Sequence, residues 1–352
     1  MNKPIFCQSG VNLGGWISQY ETYRSHNPRH FETFVTAADI RQIASWGMDH
    51  VRLPVDYPVL EDDARPFEYK ESGFEYIENC LEWCRANGLA LILDLHKAPG
   101  YSFDDTIEEM KPMPLFTDAQ VAERFYRLWE AIARRFAGRH PHLHFELLNE
   151  VNLPNSDPWN AMIAQAVARI RAIEASRTLL IGSNNFCVPE TLKDLAVLDD
   201  PHIVYTFHSY EPLLFTHQKA AWVPQAREFN QALAYPGPYT GLAEFLERTP
   251  HYHDKLQALV GTTMDSNTLE QVLAPAIAFQ QATGQALYCG EYGVIEHTDP
   301  VSRRNWHRDF IAILRQAKIG RAVWSYKRMG FGLVDYDGSV MDPELIDIVR
   351  AA

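Results

Sequence analysis

Two acidic residues in this 352-residue chain stand where a carboxyl is well placed to do chemistry. His144-Phe145-Glu146-Leu147-Leu148 reads as a short strand that ends in Asn149 and Glu150, and Ala286-Leu287-Tyr288-Cys289-Gly290 as another that ends in Glu291. A pair of carboxyls at strand ends is what a two-carboxylate hydrolase needs, one to protonate a leaving group and one to attack or to activate water. Glu146 lies inside its strand and reads as structural. Glu296 and Asp299 follow Glu291 in a loop and terminate no strand, so neither competes as a nucleophile.

Other side chains invite other chemistry and fit it less well. His140, His142 and His144 alternate as metal ligands could, but His140-Pro141-His142 reads as the loop entering the strand, at the end remote from the acids; no metal and no cofactor is expected. His251-Tyr252-His253 reads as a solvated loop. Gly14-Gly15 is too short for a phosphate cradle and has no lysine after it. The five cysteines are odd in number and scattered, which is not a disulfide framework, and Cys80 and Cys84 are expected to share a buried helix face.

Composition narrows the partners. The chain is 46% hydrophobic and 22% charged, ordinary for a globular protein, and its formal charge of −13 argues against nucleic acid and against anionic membranes. No stretch approaches the roughly 20 apolar residues of a membrane helix. Met1 to Phe6 lacks the apolar segment of a signal peptide, so an intracellular, cytoplasmic protein is expected; a chain trimmed of such a segment would read the same and would be secreted.

The elements that must position the acids alternate between strand and helix, the pattern of a parallel α/β sheet. Strands are expected at 10–13, 50–54, 89–95, 144–148, 178–182, 203–207, 286–290 and 320–324. Helices are expected at 37–46, 73–86, about 118–137, about 158–175, 192–198, about 269–283, 302–317 and 343–351. The run 89–95 is almost wholly apolar, as for a strand buried on both faces. Residues 209–267 break the rhythm with Pro, Gly, Tyr, Trp and His, and read as an extended insertion carrying one short helix near 241–248. No linker or internal repeat divides the chain, so 1–352 reads as one α/β domain, a (β/α)8 TIM barrel with a long insertion after the sixth strand.

In such a barrel the working residues gather where strands end. Those positions hold Arg52, His96, Asn149, Glu150, His208 with Tyr210, Glu291 and Trp324. His208 and Tyr210 share a direction if the strand continues, and so do Asp94 and His96, which makes Asp94 a candidate to orient His96. Trp16, in the loop after the first strand, is a candidate for the rim of the cleft.

This set resembles glycoside hydrolase family 5, in the clan of retaining (β/α)8 glycosidases. The resemblance rests on Val51-Arg52-Leu53-Pro54, Asp94-Leu95-His96, Leu148-Asn149-Glu150, His208-Ser209-Tyr210, Gly290-Glu291-Tyr292-Gly293 and Val323-Trp324, and runs from Gly10 to about Leu333. It implies that Glu150 is the acid/base and Glu291 the nucleophile. It also implies that Asn149 donates to the sugar 2-hydroxyl, that His96 and His208 line the subsite of the sugar being transferred, and that Trp324 is that sugar's stacking floor. The chemistry then requires a raised pKa at Glu150 and an ionised Glu291, with Arg52 and Tyr210 as donors to it.

The substrate implied is a β-linked oligosaccharide or polysaccharide. Asn12-Leu13-Gly14-Gly15-Trp16 and His96-Lys97-Ala98-Pro99-Gly100 resemble glucan-active, particularly exo-acting, members, and the insertion could close one end of a cleft. The leading expectation is a retaining β-glycosidase acting on β-glucosidic bonds, with exo against endo action left open and a lean to exo. An endo-acting cellulase or β-mannanase, a transglycosylase and a noncatalytic carbohydrate-binding barrel stand as alternatives.

Overall fold

The computed structural model describes residues 5–106 and 112–351. Eight strands, all parallel, close into a barrel: β1 (Gly10–Asn12), β2 (His50–Asp56), β3 (Ala90–Lys97), β4 (Leu143–Glu146), β5 (Leu179–Gly182), β6 (Ile203–Ser209), β7 (Ala286–Tyr292) and β8 (Gly320–Val323). β1 pairs with both β2 and β8, which closes the ring. The main helices are α1 (Ala37–Ser45), α2 (Glu71–Ala86), α3 (Ala119–Phe136), α4 (Asp157–Arg171), α5 (Ser266–Thr283), α6 (Pro300–Gln316) and α7 (Pro343–Val349).

Local chemistry sets the helix ends. Asp118 accepts from the Gln120 amide at the start of α3, Asp265 from Thr268 at α5 and Asp299 from Ser302 at α6, each satisfying an amide the helix cannot pair itself. Asp299 is therefore a helix cap, consistent with its dismissal as a nucleophile. Cys80 and Cys84 are both free thiols on the buried face of α2.

Inside the barrel, inward positions change character with height, because a strand presents every second residue to the same side. Ile92, Leu180, Val204, Tyr288 and Ala322 form an apolar floor, closed from below by Phe6 and Cys7. Above it lie the charged side chains of Arg52, Asp94 and Glu146, all buried, and above these the polar mouth. His144 is held in the floor with its ring edge-on to Phe6, centroids 4.9 Å apart, and burial brings its pKa down to about 3.

Three expectations are corrected. The segment between β5 and β6 forms a 3-10 turn, Pro189–Asp194, in place of a helix at 192–198. The insertion after β6 is not an irregular loop. It contains helices Leu213–Thr216, Pro224–Phe229, Leu242–Arg248 and His253–Leu256, a short antiparallel pairing of Gly237–Pro238 with Thr263–Met264, and buried Phe215, Phe229, Tyr235, Phe245, Leu246 and Tyr252. Helices this short do not repeat an apolar period long enough to read. Trp16 is not at the rim: it is 1% exposed, stacks on Trp83 at 6.1 Å and donates its indole N–H to the Phe31 carbonyl. Among the described residues, no helix is long and apolar enough to cross a membrane.

Candidate active site

Strand register brings the two acids together. β4 ends at Glu146, so Asn149 and Glu150 lie just beyond it, with the Asn149 amide still donating to the Leu95 carbonyl at 3.1 Å. β7 runs on to Tyr292, and a register shift between Cys289 and Glu291 sets Glu291 opposite His208 of β6. The absence of a side chain at Gly290 lets this happen. A Cβ there would lie 2.9 Å from His208 Nε2 and 3.0 Å from Thr206 Oγ1, inside van der Waals contact. Carboxylate oxygens of Glu150 and Glu291 and a ring nitrogen of His208 all lie within 4.8 Å of one another.

Arg52 supports this pair from beneath. Its guanidinium forms a two-pronged pair with Glu146 (Nε–Oε2 2.7 Å, Nη2–Oε1 3.0 Å) and donates to Asn12 Oδ1 and Asn149 Oδ1, both at 2.9 Å. It also lies 3.0 Å from Asp94 Oδ2 and 2.8 Å from Glu291 Oε1. Arg52, expected among the substrate-binding residues, has no exposed surface and does not line the cleft; it holds other residues in place. The planar, five-donor fork of arginine suits such a junction, where a lysine would offer one point charge.

The two acids have unlike surroundings. Glu291 has both oxygens engaged, Oε1 by Arg52 and Oε2 by the Tyr210 hydroxyl at 2.8 Å. Glu150 meets His208 Nδ1 at 2.9 Å and, among the described residues, pairs with no cation. Burial raises the pKa of both. At Glu150 the negative charge of Glu291 adds to it and the group is held well above the carboxylate range. At Glu291, Arg52 and Tyr210 pull against burial, so Glu291 ionises first. Burial pulls His208 well below its usual value and His96 down to about 3, so both rings are neutral at ordinary pH. Glu150, His208 and Glu291 are also of metal-ligating types. Both oxygens of Glu291 are already committed to donors, which is the environment of an anionic nucleophile rather than of a cation ligand.

Above the acids, His96 Nδ1 meets Asp94 Oδ2, the accepting oxygen, at 2.8 Å, as the shared direction of the two suggested, and its ring lies parallel to Trp324 within 4°, centroids 5.7 Å apart. Asn149 Nδ2, His96 Nε2 and His208 Nε2 are buried and have no hydrogen-bond partner among the described residues. His96, Asn149, Glu150, His208, Tyr210, Glu291 and Trp324 line one cleft of about 1150 Å3. The structure thus gathers seven of the eight expected residues on its walls, with Arg52 below.

Several residues at the site escaped the sequence reading. Asn12 donates to the carbonyl of Gly290 at 2.9 Å while accepting from Arg52. Glu146, read only as structural, is the main partner of Arg52. Glu296 pairs with Arg328 at 3.1 Å on the cleft wall, and Trp222 reaches the wall from the insertion. Asn185, Phe186 and Cys187 carry φ of 52°, 59° and 62°, a left-handed run that costs about 1–2 kcal/mol per residue. The run sets Asn185 and Phe186 against the cleft, and no sequence signal marks it. Tyr101 donates to the Glu150 carbonyl at 2.5 Å from behind the site. His251, by contrast, is exposed on the insertion and lies 3.7 Å from Glu228.

A closed parallel (β/α)8 barrel with a carboxyl pair at the C-terminal mouth of its strands is the architecture of a retaining glycosidase. The chain belongs to glycosyl hydrolase family 5: residues 11–330 match the family described as Cellulase (glycosyl hydrolase family 5), and the protein is a glycoside hydrolase. It is 45% identical over 342 residues to Endoglucanase C of Acetivibrio thermocellus, covering 97% of each chain. It is 35% identical over 313 residues to Cellodextrinase A of Ruminococcus flavefaciens, covering 89% of this chain and 83% of that one. In fold it is similar to Thermotoga maritima Cel5A solved with mannotriose, with a TM-score of 0.76 at 21% identity and 97% of each chain covered.

Proposed function

We propose that this protein is an endo-acting, retaining β-glucanase that cuts cellulose-type chains internally, with Glu150 as acid/base and Glu291 as nucleophile. The observation that carries the mechanism is the unequal treatment of two carboxyls within 4.8 Å of each other, one facing Arg52 and Tyr210 and the other facing the first one's charge. Glu291 attacks the anomeric carbon while Glu150 gives its proton to the departing oxygen. Once the glycosyl ester forms, the charge on Glu291 is gone, the pKa of Glu150 falls, and Glu150 takes a proton from the incoming water. Water then releases the sugar with retained configuration. Asn149 Nδ2, buried and unpartnered, is available to the 2-hydroxyl.

The earlier lean towards exo action gives way here. A relative at 45% identity over 342 residues bears the name endoglucanase, and one at 35% the name cellodextrinase, which supports a cellulose-type chain as substrate; the first name alone supports endo action. The shape of the cleft agrees. Gln19, Tyr23 and Tyr336 line it on the β1 and β8 side, and Phe186, Glu190 and Lys255 line it across the barrel on the β5 and β6 side. A groove that continues past the acids in both directions accommodates a chain on either side of the scissile bond.

Product analysis on a long cello-oligosaccharide tests the reading. Internal fragments of mixed length in the first minutes are expected, and release of a single terminal product from the start would overturn endo action. Glu150→Gln and Glu291→Gln should each lose hydrolysis by about 10²–10⁴-fold or more; an unaffected rate in either would end the assignment of that residue.

A further inference from the structure

We infer that Tyr101 is a positioning residue for the acid/base, its hydroxyl pinning the backbone on both sides of Glu150 so that the carboxyl meets the glycosidic oxygen; the inference rests on the role proposed for Glu150.

The two acids are held by different means. Glu291 sits within β7, and both its oxygens are fixed by donors. Glu150 lies four residues past the last residue of β4, and among the described residues its carboxyl has one hydrogen-bonded side-chain partner, His208. Its side chain is partly exposed to the cleft. The placement of its carboxyl therefore depends on where its backbone is held.

Tyr101 supplies that hold. Its hydroxyl donates to the Glu150 carbonyl at 2.5 Å and accepts from the Asn152 amide at 2.8 Å, so one oxygen bridges residue 150 and residue 152. A phenol has one proton to give and lone pairs to accept with, and this contact uses both capacities. A phenylalanine would forfeit both contacts and leave two backbone groups without those partners.

The ring itself is placed by a tight turn. Ala98-Pro99-Gly100-Tyr101 is closed by Ala98 N to Tyr101 O at 3.1 Å and Tyr101 N to Ala98 O at 2.9 Å. Proline at the second position and glycine with φ of 72° at the third fit a type II turn. Phe116 meets the ring edge-on at 5.4 Å, and Tyr101 is only 5% exposed and does not line the cleft. The turn leaving β3 thereby sets the height of the loop leaving β4. Misplacement of a catalytic group by about 1 Å can cost on the order of 10²-fold in rate.

The consequence is specific to proton transfer and so can be separated from general damage. With aryl β-cellobiosides of increasing leaving-group basicity, Tyr101→Phe should lower kcat/KM by about 10–100-fold for phenols that need protonation, since general acid help is worth about 10²–10⁴-fold. For dinitrophenol, which departs as the anion without a proton, the loss in kcat/KM should be under about twofold. Breakdown of the glycosyl-enzyme also needs the base, so kcat on the dinitrophenyl substrate should fall. Azide should restore it by attacking the anomeric carbon and displacing the Glu291 carboxylate, with no proton to remove. Glu150→Gln, run in parallel, should show the same pattern more strongly. A uniform loss across the series in Tyr101→Phe, with the graded pattern kept in Glu150→Gln, overturns the positioning role alone. A uniform loss in both overturns the role of Glu150 itself. Should Tyr101→Phe not fold, trifluorotyrosine at position 101 keeps both contacts while protonated and loses the one donated to the Glu150 carbonyl when it ionises; a leaving-group slope that stays equal to the parent's on both sides of that ionisation, followed by phenolate absorbance, overturns the inference equally.

Discussion

Nη1 of Arg52 lies 2.8 Å from Oε1 of Glu291, wholly inside the barrel, and the same guanidinium holds Glu146, Asp94, Asn12 and Asn149. One side chain on β2 thus ties together β1, β3, β4, the loop after β4 and β7. Removing it leaves buried carboxylates without a counter-charge. Arg52→Met should destabilise the fold by about 3–5 kcal/mol, the cost of breaking a buried ion pair from one side. Urea unfolding at pH 7 measures this. Arg52→Lys should recover only part, because one ammonium cannot serve acceptors on so many elements. Equal stability of Arg52→Met and the parent would refute the account.

Tyr210 sets the acid limb of the pH profile. Its hydroxyl stabilises the ionised form of Glu291, pulling down a pKa that burial raises. In Tyr210→Phe the pKa of Glu291 rises, ionisation needs higher pH, and the acid limb of kcat/KM moves upward. The alkaline limb, which follows loss of the Glu150 proton, should shift less. A net hydrogen bond to a charged group is worth about 1.5–3 kcal/mol, so a limb displaced by about 1–2 pH units is expected. A limb that stays put or moves down would contradict the assignment.

Gly290 reserves room for His208. In Gly290→Ala the new methyl falls 2.9 Å from His208 Nε2, and the ring or the strand must shift. Overpacking of this kind costs about 1–3 kcal/mol. Because His208 contacts Glu150, activity should fall by about tenfold or more, beyond what the stability change explains. Initial rates measured well below the unfolding temperature separate the two effects.

Asp56 gives a pH dependence of stability unconnected with catalysis. It is 1% exposed, Oδ1 has no hydrogen-bond partner among the described residues, and burial pushes its pKa up to about 7. A carboxyl that binds its proton more tightly when folded makes stability fall as pH rises from about 4 to about 7, and the loss is complete above that. Asp56→Asn keeps the acceptor for the Gln19 amide and removes the charge. It should therefore be more stable than the parent by roughly 2–4 kcal/mol at pH 8 and nearly equal at pH 4. Unfolding curves at the two pH values decide the matter.

The barrel and its mouth were readable because their signals are local. Apolar runs ending in a polar residue marked the strands, and those ends named Glu150, Glu291, His96, His208, Tyr210 and Trp324 without reference to three dimensions. Contacts that depend on register were not readable. Nothing in the order of residues says that Asn12 reaches the carbonyl of Gly290, or that Tyr101 reaches that of Glu150. Trp16 misled because a tryptophan after a strand can serve the rim or the packing behind it, and here Trp83 and Phe31 supply the packing. The insertion misled because its helices are four to seven residues long and its order comes from rings meeting across it.

Those rings carry one further implication. Phe215 meets Tyr235, Phe229 meets Phe245, and Phe245 stacks on Tyr252, at 5.6, 5.2 and 5.8 Å, so the insertion is ordered by rings that continue the barrel's own apolar core. Trp222, Tyr252 and Lys255 of the insertion form part of the cleft wall, while Glu291 belongs to β7 and Glu150 to the loop leaving β4. Variation confined to the segment between Glu211 and Asp265 can therefore change what the groove accepts while Tyr210 and both acids, and with them the reaction chemistry, stay in place.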